Sequence, residues 1–102
     1  MEEIGHFVNG KRIPGESKRF SNVFNPATGE IQSKVSLATK SELDFAVEAA
    51  KKVQPVWAAT NPQRRARVLM KFVELLHDNM DSLANKLSSE HGKTIPDAKG
   101  DI

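Results

Sequence analysis

The sequence contains no cysteine and no tyrosine, and a single tryptophan among its 102 residues. Without cysteine, these residues form no disulfide, no zinc–thiolate site and no cysteine nucleophile. The absence leaves the compartment open, because cytosolic proteins need no cysteine. No apolar run approaches the ~20 residues that a bilayer span requires. A charge excess is missing as well. The 15 Lys and Arg against 13 Asp and Glu leave +2, too little and too mixed to point to nucleic acid or an anionic membrane. Met1-Glu2-Glu3-Ile4 lacks the basic start and apolar stretch of a secretory signal, and the Arg-rich, acid-poor character of a transit peptide. These readings predict a soluble, cytoplasmic chain with no nucleic-acid and no membrane partner. What remains is 38% hydrophobic, which suffices for one small domain or a piece of a larger one. It is thin for a chain that must enclose both a core and a pocket.

Two hairpins are expected first. In residues 4–13, Asn9-Gly10 sits between β-prone residues, and both can take the positive φ of a type I′ turn. Pro14-Gly15 then stops the second strand. Residues 20–37 predict another hairpin, turning at Asn25-Pro26-Ala27-Thr28-Gly29. Along its return strand Ile31, Ser33, Val35 and Leu37 share one face, and Gln32, Lys34 and Ser36 the other, which predicts one buried and one wet face.

From Thr39 the period becomes helical. Thr39-Lys40-Ser41-Glu42 matches a capping box. Leu43, Ala46, Val47, Ala50 and Val53 then recur at helical spacing, and Pro55 is expected to end the helix. Asn61-Pro62 starts the next, with Asn as the cap. Leu69, Phe72, Val73, Leu76, Met80, Leu83, Ala84 and Leu87 keep phase as far as Gly92. One helix that long would span ~45 Å, so a break is expected near Asp78-Asn79, with Asn79 capping the second part. Even broken, the apolar stripe is more than this chain can cover. Thr94-Ile95-Pro96-Asp97 reads as a further helix start. The predicted fold class is α+β, two β-hairpins followed by two to four helices, with a β-hairpin arm over residues 4–37 and a helical part over 39–102.

Motifs for chemistry are sparse. Gly92-Lys93-Thr94 matches the end of a P-loop, but Leu87 stands where its first glycine belongs and a helix precedes it, so a helix C-cap is expected. Gly5, Gly10, Gly15, Gly29, Gly92 and Gly100 never take dinucleotide-loop spacing. His6, His77 and His91 fall in different elements, without ligand spacing. Asp78 and Asp81 read as a solvated helix face. No serine lies in a nucleophile elbow. Arg64, Arg65 and Arg67 crowd a helix N-terminus, where the dipole disfavours cations. They imply either ion pairs with carboxylates elsewhere in the fold or contact with an anion or nucleic acid. Trp57 is expected to anchor a core at the turn between helices. No catalytic, cofactor-binding or metal-binding residue is assigned.

Several pieces occur together and in order. They are Phe7-Val8-Asn9-Gly10, Asn25-Pro26-Ala27-Thr28-Gly29-Glu30, Ala46-Val47-Glu48-Ala49-Ala50 with Trp57, Arg64-Arg65-Ala66-Arg67 and Glu90-His91-Gly92-Lys93. This order resembles the N-terminal region of the aldehyde dehydrogenase superfamily, over nearly the whole sequence. The wording of residues 57–67 and 90–102 is similar to its CoA-acylating methylmalonate-semialdehyde dehydrogenase branch. The resemblance implies the N-terminal part of an α/β fold whose full-length members oxidise (methyl)malonate semialdehyde with NAD and CoA to an acyl-CoA and form homo-oligomers. In that family a Cys thiolate attacks the aldehyde, so residues 1–102 are expected to be an incomplete N-terminal segment. Alone it is expected to be inert and to bind neither NAD nor CoA, its partner being the remainder of the dehydrogenase fold. The alternative is a standalone interaction module that binds itself or a full-length dehydrogenase through its exposed helix stripe.

Overall fold

A computed structural model describes residues Met1–Ile102. Five short strands precede four helices: β1 Glu2–Ile4, β2 His6–Val8, β3 Lys11–Ile13, β4 Phe20–Phe24, β5 Ile31–Ser36, α1 Lys40–Ala59, α2 Pro62–Asp78, α3 Met80–His91 and α4 Ile95–Asp101. The chain divides into two compact units, residues 1–23 with 31–59, and residues 24–30 with 60–102.

In the first unit β2 and β3 pair antiparallel, with His6 opposite Ile13 and Val8 opposite Lys11. Asn9 (φ 54°) and Gly10 (φ 76°) make the turn, as their sequence requires. β1 is a strand that the sequence reading missed. It pairs in parallel with β5, placing Glu2 beside Ser33 and Ile4 beside Val35, in a three-stranded sheet of order β1-β5-β4. With strands on both sides, β5 does not show one clean wet face. Ser33 and Ser36 are both buried, whereas Ile31 and Leu37 are 40% and 38% exposed. Ser36, expected in water, lies where the chain approaches closely: a Cβ on Gly15 would come within 1.6 Å of its Oγ.

The capping box forms as written. Glu42 N donates to Thr39 Oγ1 at 3.1 Å, and Thr39 N donates to Glu42 Oε1 at 2.9 Å. Pro55 does not end the helix, which continues to Ala59. Proline removes the helical donor for the carbonyl of Lys51. That stretch of α1 is exposed, so water can serve the freed carbonyl. Trp57 accordingly lies inside α1 and is 43% exposed, not a core anchor.

In the second unit Asn61 caps α2 through Oδ1, which accepts from Gln63 N at 2.8 Å. The break falls at Asn79, but its side chain does not cap α3. Instead Nδ2 donates back to the Leu75 carbonyl at 2.8 Å, closing the end of α2. α3 ends at Gly92 in the left-handed region (φ 90°), and Thr94 caps α4 by accepting from Asp97 N. The two fully buried apolar residues are Ala84 of α3 and Ala98 of α4. Lys99 pairs with Asp81 at 2.9 Å, and Lys93 with Asp101, tying α4 to α3 and to its cap. A Cβ on Gly92 would be strained by φ and would sit 3.0 Å from Pro26 Cγ. Gly92→Ala is therefore expected to cost about 1–3 kcal/mol, read as a lower urea midpoint. An unchanged midpoint would contradict the left-handed cap.

Candidate functional site

Built from its residues upward, the first unit offers one polar node. Thr39 and Glu42 are fixed by the first turn of α1, and the Glu42 side chain is only 8% exposed. Its carboxylate accepts from Thr39 N, and from Glu16 N at 3.3 and 3.4 Å to its two oxygens. His6 of β2 brings Nε2 to 3.4 Å from Glu42 Oε2. The Thr39 N–H, followed by the Glu16 N–H and the Thr39 hydroxyl, holds the Glu42 carboxyl below the usual carboxylate range, against the opposing effect of desolvation. Nearby, the Ser36 hydroxyl and His6 Nε2 are buried without a hydrogen bond.

The three histidines stay apart: His6 is in β2, His77 in α2 and His91 at the end of α3, the latter two exposed. No group of three or more His, Cys, Asp or Glu side chains lies close enough to hold a metal ion. Gly92 caps α3, as the sequence indicates. Gly10 and Gly29 take positive φ, while Gly100 lies inside α4; the groove around β1–β3 carries Glu2 and Glu3 beside Arg12. Arg65 turns back to donate from Nε to the Thr60 carbonyl at 3.1 Å. A backbone carbonyl, rather than the expected carboxylate, is its partner. Asp81 is 85% exposed, as a solvated face requires, and pairs at the surface with Lys99.

The larger feature is apolar. No α1 or α2 residue is buried. In α2, Val68, Leu69, Phe72, Val73 and Leu75 are between 47% and 57% exposed. At 100° per residue they span an arc of roughly 160°, wider than the ≳100° stripe of a helix lying on one neighbour. In α1, Leu43, Phe45, Val53 and Val56 are 55–72% exposed. Faces of this kind are built to be covered.

Comparison with known proteins gives the same picture. The model of the aldehyde dehydrogenase family matches residues 13–102. The mitochondrial acylating methylmalonate-semialdehyde dehydrogenase of Arabidopsis thaliana is 43% identical over 99 residues, which are 97% of this chain and 16% of that protein. The malonate-semialdehyde dehydrogenase of Pseudomonas aeruginosa is 40% identical over 102 residues, 100% of this chain and 20% of that one. A crystal structure from Sinorhizobium meliloti, assigned as methylmalonate-semialdehyde dehydrogenase and complexed with NAD, is 68% identical. It superposes with a TM-score of 0.94 over 100% of this chain and 21% of its own. The chain spans about a fifth of the length of these relatives.

Proposed function

The chain belongs to the aldehyde dehydrogenase family, and from that premise we propose that it supplies the N-terminal arm and first helices of an NAD-dependent, CoA-acylating methylmalonate-semialdehyde dehydrogenase. Residues 4–37 act as the arm and residues 39–102 as the helical part. The observation that carries this reading is the exposed apolar faces of α1 and α2, together with full coverage of this chain by about a fifth of the S. meliloti dehydrogenase. The partner is the remainder of the dehydrogenase fold, and the complete enzyme is a homo-oligomer. No helix is long and apolar enough to cross a membrane. The enzyme acts in the cytoplasm or, as for the mitochondrial Arabidopsis relative, in an organelle.

In the complete enzyme NAD would supply the hydride acceptor and CoA the acyl acceptor. The residues of this chain take no part in either transfer. They have no thiol to attack the aldehyde, since cysteine is absent. Their contribution is to close apolar surface, which rigidifies the groups that do react. Mixed with methylmalonate semialdehyde, CoA and NAD, the purified chain is expected to form no NADH above background at 340 nm. Joined in frame to the other four-fifths of the S. meliloti dehydrogenase, in place of the matching fifth, it is expected to restore NADH formation. Turnover by the chain alone, or an inactive chimera that folds, would refute the proposal.

A further inference from the structure

The β2–β3 hairpin belongs to an excursion anchored at both ends in one sheet, since β1 before it and β4 after it flank β5. Between those anchors it lies along α1. Phe7, Val8 and Asn9 face Ala46, Ala49, Ala50 and Val53 across a shallow apolar groove of about 260 Å³. Phe7 is 73% exposed, so the apolar hold on α1 comes from Val8 and Ile13, which are half-buried and line a pocket with Leu43 and Ala46. Between the hairpin and α1 the polar contacts converge on Glu42, which meets His6 of β2 and, just after β3, the Glu16 N–H. Nearer β4, Ser17 and Arg19 donate to the Leu37 and Ala38 carbonyls and fix the second anchor of the excursion.

We propose that the β2–β3 hairpin is a flap held shut on α1 by the ionised Glu42 carboxylate, and that protonating this one group releases it. The charged state matters because a carboxylate accepts the Glu16 N–H and faces the imidazole far more strongly than a neutral acid does. Within α1, the capping-box bond from Thr39 N survives in weaker form, so the helix start persists while the flap lets go. The titratable or charged groups around Glu42 are His6 on β2 and Glu16 after β3. Arg12 of β3 and Glu2 and Glu3 of β1 line the groove on the other side of the hairpin, and Lys40 of α1 is engaged by Asp44. Glu42 is held below the usual carboxylate range. The clasp is therefore complete above that range and is lost as the pH falls through the lowered value.

Amide hydrogen exchange by NMR on the 102-residue chain tests this, comparing wild type with Glu42→Gln, which keeps a capping-box side chain and removes the charge. At pH 7 the variant is expected to lower protection of amides 6–13 and of Glu16 about tenfold or more, with the later turns of α1 and the α3–α4 pair unaltered. Acidifying the wild type is expected to reproduce that pattern, while the variant's flap no longer responds to pH. Three results would overturn the proposal: an unprotected hairpin in the wild type at neutral pH, equal protection in the variant, or a loss spread evenly over all elements.

Discussion

Phe72→Ala is expected to change the stability of the isolated chain by no more than about 0.5 kcal/mol, and to cost about 3–5 kcal/mol in the chimeric dehydrogenase. The difference follows from where the ring lies. Phe72 is 56% exposed on the apolar arc of α2. Truncating an exposed ring removes few contacts and leaves no cavity. Once the arc is covered, the same truncation loses the transfer free energy of the ring and leaves a void that close-packed neighbours cannot fill. Urea denaturation of the two proteins, each with and without the substitution, gives the comparison. Equal effects in both contexts would mean that Phe72 faces water in the enzyme as well.

Gly15→Ala has the next largest expected effect, a loss of about 2–3 kcal/mol. The added Cβ would lie 1.6 Å from Ser36 Oγ and 2.6 Å from Ser36 Cβ. Rotating the hydroxyl away relieves only the first clash, because Cβ is fixed by the β5 backbone, and Ser36 is buried. The segment after β3 must then lift off the sheet, taking the Glu16 N–H away from Glu42. The double variant Gly15→Ala with Ser36→Gly is expected to recover at least half of the loss, since it removes both clashing atoms. Thermal denaturation of the four members of the cycle measures the coupling. Additive losses would show that the strain arises elsewhere.

Much of the fold was legible because its signals are local. Asn9-Gly10, the Thr39–Glu42 box, Asn61-Pro62, Gly92 and Thr94 each act within four residues, and each forms in the structure as written. The misreadings concern effects that sequence spacing does not encode. β1 pairs in parallel with a strand some thirty residues away, and Met-Glu-Glu-Ile gives no hint of it. Pro55 carries a local penalty, but water can meet it on an exposed helix. Trp57 looked like a core anchor because large aromatic residues usually are, yet it stands on the exposed last turns of α1 and the ring is 43% exposed. The Glu42 node was half legible. The capping box named the residue, while the arrival of His6 and Glu16 depends on how the hairpin folds back. The over-long apolar stripe on residues 69–87 was the sequence's clearest indication of function; its α2 part, Leu69, Phe72 and Val73, faces solvent, whereas in α3 Ala84 is buried.

Hydroxyl-radical footprinting reads that exposure side chain by side chain. Phe72 of α2 and Trp57 of α1, now 56% and 43% exposed, are reactive reporters on the two apolar faces. In the isolated chain they should oxidise as rapidly as free-solvent controls, and in the chimera with the S. meliloti dehydrogenase their rates should fall about tenfold or more as the faces are covered. Equal rates in the two proteins would mean that the greasy helices stay wet in the assembled enzyme, and that the segment contributes something other than a covered surface.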